Sequence, residues 1–155
     1  MQKARETPRF FHAYIMERLE PVIPSGAHRI TEEILAFTQC HPYYTQQLAS
    51  MVWETAVYRK MPVDNLIESA VNQITETHDL NFERIWMSLN NTDKRIIRML
   101  SKGEKPYEQK SLPTSTTYSS VKKLMKKGFL IKEDGYEVED PFFKQWIVLQ
   151  SGSSL

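Results

Sequence analysis

The sequence predicts a mainly α-helical fold, in which a small helical bundle is followed by a winged helix-turn-helix domain with a short β-hairpin wing. Three observations predict this class. Apolar residues recur at helical spacing through the first half of the chain. Further on, a basic helix ends at a glycine, and a strong hairpin signal follows that glycine directly. We expect the bundle over residues 1–80, the winged domain over 81–150 and a disordered tail over 151–155.

The basic helix is the best-defined element of the winged domain. Pro113 disfavours helical backbone at the residue before it, and Ser115 can cap the helix by accepting hydrogen bonds from first-turn amides. Gly128 follows two lysines and is expected in the left-handed conformation that ends a helix. The apolar residues between them recur at three- and four-residue spacing and should form one stripe: Tyr118, Val121, Leu124 and Met125.

A hairpin and a closing helix should follow. Strands are expected at residues 129–131 and 136–138, with Asp134-Gly135 as a two-residue turn between them. A helix over residues 142–149 should then pack back on the core. Its apolar residues are Phe143, Trp146, Ile147 and Leu149.

The winged domain should open with a capped helix. Asn91 or Thr92 is the expected cap, and the helix should end near Gly103. A short helix over residues 107–112 should precede the basic helix. The buried face of the opening helix is expected to be Ile96, Ile97 and Leu100.

The first half of the chain reads as four helices and a connecting segment. Thr7-Pro8 should open the first helix, Thr31 should cap the second, Pro42 should start the third and Asp64 should cap the fourth. A further helical segment over residues 82–89 should join the two halves. The expected core residues are Phe11, Tyr14, Ile15, Leu19, Ile34, Leu35, Phe37, Leu48, Met51, Val52 and Ala56.

Composition narrows the class of protein. No apolar run approaches the ~20 residues that a membrane span needs, so no membrane partner is expected. The N-terminus lacks the apolar core of a signal peptide, which makes the cytoplasm the expected compartment. The single cysteine, Cys40, excludes an intrachain disulfide and is expected to be a small buried hydrophobe.

Charge is distributed unevenly along the chain. Residues 105–132 hold seven lysines and one acid, whereas residues 133–140 hold five acids and no base. A basic helix is suited to binding phosphate groups, but the adjacent acidic hairpin would repel a DNA backbone. The charge pattern therefore does not decide whether the partner is double-stranded DNA or a protein. The residues expected to contact either partner are Lys110, Ser115, Thr116, Ser119, Ser120, Lys123, Lys127 and Lys132.

No catalytic motif is present. The chain has no GxxxxGK[ST] or GxGxxG phosphate loop, no HExxH and no CxxC. The four histidines, at positions 12, 28, 41 and 78, share no metal-ligand spacing and are expected to be surface or packing residues. We therefore expect no catalytic residue, no metal and no enzyme activity in this chain by itself.

The order of motifs in this chain resembles the C-terminal half of certain prokaryotic AAA+ ATPases. Four segments carry the resemblance, in this order: ITEEILAFTQCHPYYTQQLASMVWETA, LNNTDKRIIRMLSKGE, STTYSSVKKLMKKGFL and DGYEVEDPFFKQWI. These ATPases are archaeal-type members of the STAND class, the signal-transduction ATPases with numerous domains. The resemblance runs from about Pro8 to Ile147. Its most specific pieces are His41-Pro42-Tyr43-Tyr44 and Asp140-Pro141-Phe142 with Trp146.

The resemblance implies a nucleotide-dependent role. In that family a P-loop domain is followed by a helical lid and then a winged helix, so His41 and Pro42 would contact bound ATP or ADP at a helix N-terminus, which favours phosphate. Cys40 stands where the family usually has glycine, and we expect its side chain to alter the loop or narrow the approach to the nucleotide. The P-loop and the magnesium-binding residues would lie before Met1. ATP or ADP with magnesium would therefore bind only with a P-loop domain, in the same chain or a separate one.

Three hypotheses follow, in order of preference. The chain is the lid and winged helix of an ATPase, coupling nucleotide state to the contacts of the winged helix. Alternatively, it is a free-standing winged-helix DNA-binding protein of the transcription-regulator type. As a third possibility, it is a protein-interaction module whose basic helix docks on an acidic surface, such as its own residues 61–93.

Overall fold

The fold is mainly helical and divides into two compact units. The computed structural model describes the backbone of residues 3–152 and the side chains of residues 9–152. Unit 1 covers residues 1–76 and unit 2 covers residues 77–155, so the division lies four residues before the boundary expected from the sequence. Within the described residues, a single two-stranded antiparallel sheet accompanies the helices. No described helix has both the length and the apolar composition of a membrane-crossing segment.

The described residues of unit 1 form four α-helices. These are α1 (Lys3–Leu19), α2 (Ala27–Thr38), α3 (Pro42–Glu54) and α4 (Val63–Thr77). α3 continues into a π-helical turn over Thr55–Arg59, and Lys60 then takes a left-handed conformation with φ 49°.

The core of unit 1 matches most of the expected apolar positions. Helices α1, α2 and α3 pack on one another, and their inward faces are aliphatic. Tyr14 is exposed instead, and Phe11, Phe37, Met51 and Ala56 are only half-buried. The fully or nearly fully buried residues of this core are Ile15, Leu19, Ile23, Ile30, Ile34, Leu35, Leu48, Val52, Leu66, Ala70, Val71 and Ile74.

Three expected helix starts in unit 1 are wrong. α1 begins at Lys3, before Thr7-Pro8. α2 begins at Ala27 with Gly26 as its N-cap, so Thr31 lies inside the helix. The buried Thr31 hydroxyl donates to the Ala27 carbonyl at 2.7 Å, which satisfies it without a capping role. Asp64 lies within the first turn of α4 and bonds to Arg29 instead of capping.

The described residues of unit 2 form four helices, a 3-10 turn and the hairpin. The helices are α5 (Asp79–Ser88), α6 (Asn91–Ser101), α7 (Thr114–Lys126) and α8 (Pro141–Gly152). The strands are β1 (Leu130–Lys132) and β2 (Tyr136–Val138). α6 lies at the centre and contacts α7, α8 and β2, while α5 packs on α8. This order of elements is compatible with a helical domain that carries a hairpin wing.

The core of unit 2 forms around α6. Ile96 and Ile97 are fully buried, and Leu100 is nearly so, as the sequence predicts. α8 contributes aromatic residues and one aliphatic residue to the same core. The other buried residues are Phe82, Leu89, Met99, Val121, Leu124, Leu130, Val138, Phe142, Phe143, Trp146 and Ile147.

Several local predictions in unit 2 are wrong. The α6 cap is Asn90, one residue before the expected pair, and its side chain accepts from the Asp93 amide at 2.8 Å. Ser115 lies inside α7, which starts after Pro113 without a side-chain cap. The expected helix over 107–112 is only a 3-10 turn at Pro106–Glu108. α8 runs through Gly152, so the first two residues of the expected tail are helical, and 153–155 lie outside the described residues.

The buried faces of α7 and α8 also differ from the apolar stripes that the sequence predicts. Val121 and Leu124 are buried, but Tyr118 and Met125 are exposed. The buried face of α7 is completed by Thr117 and Ser120 instead, and the Ser120 hydroxyl donates to Asp93 of α6. Leu149 of α8 is likewise exposed.

The hairpin has a three-residue loop. Leu130 pairs with Val138 and Lys132 with Tyr136, which leaves 133–135 as the loop, so the expected two-residue turn is wrong. This register places Leu130 and Val138 opposite each other, and both are buried. A two-residue turn would shift the pairing by one and place a buried leucine opposite Glu139, since neighbouring residues of a strand face opposite sides.

Candidate functional sites: the His41 corner and the exposed face of α7

The corner between α2 and α3 has an unusual backbone. Gln39 and Cys40 both take the left-handed conformation, with φ values of 51° and 59°. His41 is extended and serves as the N-cap of α3, and Pro42 occupies the first helical position, as predicted. A non-glycine residue in the left-handed region costs roughly 1–2 kcal/mol, so two in succession need support from the surrounding packing.

Buried hydroxyl groups supply part of that support. Thr38 and Thr45 are both buried, and their hydroxyl oxygens lie 2.7 Å apart. Thr38 donates its only hydroxyl proton to the Ile34 carbonyl, so Thr45 is the donor between the two threonines. The His41 amide also donates to the Thr38 carbonyl at 3.0 Å. The end of α2 is therefore tied to the start of α3.

Side chains at the corner differ in how far they reach solvent. The His41 ring is half-buried and lies against Tyr44, with 4.6 Å between ring centroids, whereas Tyr43 is 65 % exposed. Burial, followed by the negative charge of Glu32, raises the pKa of the Cys40 thiol. The thiol is therefore neutral at physiological pH and unsuited to nucleophilic chemistry. The corner can offer helix amides and an imidazole to an anion.

The second candidate site lies on α7 and the elements next to it. Ser115, Thr116 and Ser119 are exposed and line an open hollow of about 410 Å³ beside the start of α6. Asn90 and Thr92 line the same hollow from α6. Ser120 and Lys123 also line this hollow, so five of the predicted contact residues border it, and three of these five are exposed.

Two other predicted contact residues have structural partners. Ser120 is buried, and its hydroxyl donates to Asp93 Oδ1 at 2.5 Å. Lys123 Nζ lies 2.8 Å from Asp93 Oδ2, and the Asp93 side chain is only 2 % exposed. Both residues hold α7 against the first turn of α6, so their polar atoms serve this contact between helices.

The remaining predicted lysines lie on separate elements. Lys110 is exposed in the loop before α7, and Lys127 is exposed at the end of that helix. Lys132 lies on β1, with Nζ 5.5 Å from the centroid of the Tyr136 ring. The prediction omitted Lys122 and Lys126, which are exposed on the same face of α7 as Ser115 and Ser119. The spacing of three and four residues among these positions was the signal that could have identified them.

The motif 140–142 with Trp146 has a structural role in unit 2. The Asp140 carboxylate accepts from the amides of Phe142 and Phe143, at 2.9 and 3.3 Å, and so caps the start of α8. Trp146 is buried and its indole N–H donates to Asp79 at 2.7 Å, which links α8 to α5.

Comparison of the chain with protein-family models, with curated proteins and with solved structures finds no match.

Proposed function

We propose that this chain is the helical lid and the winged helix of a STAND-class ATP-binding protein, in which the state of the nucleotide controls the contacts that the winged helix makes. The observation that carries the proposal is the backbone at residue 40. The family pattern has glycine there, and Cys40 takes a left-handed φ of 59°, which glycine adopts without strain. The position of the motif and its backbone geometry thus agree.

The start of α3 supplies the proposed contact. His41 is the N-cap and Pro42 the first helical residue, so the next amides of α3 point out of the helix start, where its dipole favours an anion. His41 lies against Tyr44, which holds the imidazole at this end of the helix. In the proposed mechanism a phosphate group of ATP or ADP, bound mainly by the P-loop domain, is contacted by this helix start. Closure of the lid then changes the position of the winged helix.

The decisive experiment joins the chain to its ATP-binding partner. The coding sequence upstream, or a neighbouring gene, should encode a P-loop domain. In the complete protein His41→Ala should weaken ATP and ADP binding roughly tenfold, the size of one charge-assisted hydrogen bond. Gln46→Ala is the matched control, because Gln46 is exposed on the same helix but lies beyond its first turn.

The outcomes separate clearly in nucleotide titrations by calorimetry. Equal affinity of wild type and His41→Ala, with both folded, contradicts the proposed contact. The absence of any P-loop domain, in the same gene or a neighbouring one, contradicts the assignment as an ATPase lid. An equal loss in His41→Ala and Gln46→Ala would indicate damage to α3 and also count against a specific contact.

A second candidate function is binding of double-stranded DNA through α7. The observation that favours it is the exposed face of Ser115, Ser119, Lys122 and Lys126, which combines hydroxyl and ammonium donors suited to phosphate oxygens. The acidic loop at 133–135 opposes it.

Duplex binding measured over a salt series tests this candidate. Each of Lys122→Ala and Lys126→Ala should weaken binding and reduce the salt slope by about one. Lys105→Ala is the control, since Lys105 is exposed beside Glu108 and off this face. No binding at low salt, or equal effects of all three substitutions, excludes α7 as a DNA-binding face. Lys123→Ala is unsuitable here because Lys123 is paired with Asp93.

A further inference from the structure

Three metal-ligating side chains come together between α1 and α2. His28 and Glu32 are four residues apart on α2 and therefore share one face of that helix. His12 lies on α1, which packs against α2. The ligand atoms of the three side chains all lie within 4.8 Å of one another. The fold thus forms a cluster that the sequence spacing of these histidines does not indicate.

The contact between His12 and Glu32 needs a hydrogen or a metal ion between the nitrogen and the oxygen. His12 Nε2 lies 3.0 Å from Glu32 Oε1. The same nitrogen is buried and has no hydrogen bond in correct geometry with any described residue. An unprotonated imidazole nitrogen and a carboxylate oxygen both carry lone pairs, so they repel at this distance unless a proton or a metal ion lies between them.

The distances suit a small transition-metal ion. Zn²⁺ lies about 2.0–2.2 Å from histidine nitrogen and carboxylate oxygen, so two ligand atoms in a tetrahedral site are about 3.3–3.6 Å apart. The nitrogen–oxygen distances from Glu32 Oε1 to His12 and His28 are 3.0 and 3.8 Å, on either side of that value. The side chains of His28 and Glu32 are 71 % and 58 % exposed, so both can rotate by the small amount needed.

The neighbouring Arg29 does not pair with the Glu32 carboxylate; its partners are two other acids. Arg29 follows His28 on α2, but its guanidinium lies 3.5 Å from Glu33 and 2.6 Å from Asp64. Its charge is therefore directed to two other acids of the same unit. Glu32 keeps its contacts with the two histidines.

We propose that His12, His28 and Glu32 bind one divalent ion of the Zn²⁺, Co²⁺ and Ni²⁺ class, which joins α1 to α2. Two imidazoles and one carboxylate favour this class over Mg²⁺ and Ca²⁺, which prefer all-oxygen sites. Three protein ligands leave a position for water on the solvent side. The ion adds a link between two helices that already pack on each other.

Titration of the full chain tests the site. Calorimetry with ZnCl₂ and visible absorption of Co²⁺ should both show one ion per chain, with no comparable binding of Mg²⁺. His28→Ala and Glu32→Gln should each weaken Zn²⁺ binding by roughly tenfold or more. Residues 28 and 32 are exposed, so these two variants should stay folded. His12→Ala is less suitable, because it would loosen the contact of α1 with α2. Circular dichroism checks the fold of each variant.

Two controls distinguish the site from general affinity for metal. His78→Ala removes a histidine of unit 2, and Cys40→Ser removes the only thiol; both should bind Zn²⁺ as wild type does. The proposal is overturned if wild type binds no ion, if His28→Ala and Glu32→Gln bind as tightly as wild type, or if Cys40→Ser abolishes binding.

Discussion

The Lys123 ammonium lies 2.8 Å from the carboxylate of Asp93, which is almost completely buried. Ser120 donates to the other oxygen of the same carboxylate. Asp93 stands in the first turn of α6, and its two partners stand one turn apart on α7. This cluster fixes the angle at which the basic helix packs on α6. One lysine of the basic helix therefore contributes to the stability of the fold.

Removal of Lys123 should destabilise unit 2. Lys123→Ala leaves a buried carboxylate with Ser120 as its remaining partner, and we expect a loss of about 1–3 kcal/mol in the free energy of unfolding. The value stays within this range because Lys123 is 41 % exposed and water can replace part of its contact. Lys122→Ala, on the exposed side of the same helix, should change the stability by less than about 0.5 kcal/mol. Urea denaturation of both variants measures the difference, and equal stabilities would show that the ion pair is dispensable.

The end of α7 requires glycine at position 128. Gly128 has a φ of 83°, and its amide and that of Phe129 donate to the carbonyls of Met125 and Leu124, the paired bonds of a Schellman motif. A Cβ at this position would meet no atom within 4 Å, so only the backbone conformation penalises a side chain. Gly128→Ala should therefore cost about 1–2 kcal/mol.

Gly135 provides the matched comparison in the hairpin loop. A Cβ at residue 135 would also meet no atom within 4 Å, but the φ of Gly135 lies outside the left-handed region. Gly135→Ala should be nearly neutral in thermal denaturation, within about 0.5 kcal/mol. A two-residue turn with Asp134-Gly135 would require a positive φ there. A large loss in Gly135→Ala would therefore contradict the three-residue loop.

The sequence predicted the regular elements better than their ends. The stripe of Ile96, Ile97 and Leu100, the stop at Gly128 and the proline start of α3 depend on residues close together in the chain, and all three are confirmed. Helix caps were harder to assign, because several neighbouring residues could serve. Asn90, Asn91 and Thr92 are all good caps, and only the hydrogen bond to Asp93 distinguishes Asn90.

Contacts between distant residues explain the other differences. The hairpin loop has three residues because Leu130 and Val138 must face the core together, which a turn motif alone does not indicate. Lys123 was predicted to contact a nucleic acid or a partner, and its pairing with Asp93 was missed because Asp93 is thirty residues away in sequence. His12 is similarly separated from His28 and Glu32, and only the packing of α1 on α2 brings the three together. Periodicity carries no information on such pairs.

Gly26 should be intolerant of any side chain because of one neighbour. A Cβ at residue 26 would lie 2.5 Å from Cγ1 of Val63 and 3.2 Å from Cγ2 of Ile23. The φ of Gly26 is −129°, outside the positive range that favours glycine, so the expected loss is steric. Gly26→Ala should destabilise unit 1 by about 1–3 kcal/mol, as overpacking does.

A double-mutant cycle with Val63→Ala tests that cause. Removing the two methyl groups of Val63 should recover much of the stability lost in Gly26→Ala, which gives a favourable coupling energy of about 0.5–3 kcal/mol. Chemical denaturation of the two single variants and the double variant measures it. Additive losses would show that Val63 is not the obstacle.

The cap of α8 should make stability depend on pH. Burial raises the pKa of Asp140 above its ordinary value of 3.8, although the amides of Phe142 and Phe143 act to lower it. The folded chain therefore holds the Asp140 proton to a higher pH than the unfolded chain does. In that window the folded state binds more protons, so the contribution of Asp140 to the free energy of unfolding falls as the pH rises from 3.8 through the raised value.

Asp140→Asn isolates this effect, because asparagine keeps an oxygen that can accept from the same two amides and does not titrate. Urea denaturation of both proteins from below pH 3.8 to neutrality gives their difference in the free energy of unfolding. The contributions of the other acidic residues are the same in both proteins and cancel in this difference. Wild type should lose stability relative to Asp140→Asn as the pH rises. Asp140→Ala, which removes the cap, should be less stable than Asp140→Asn by about 1 kcal/mol throughout. A difference that rises with pH instead would mean that the two amide bonds outweigh burial and that the pKa of Asp140 is lowered in the folded chain.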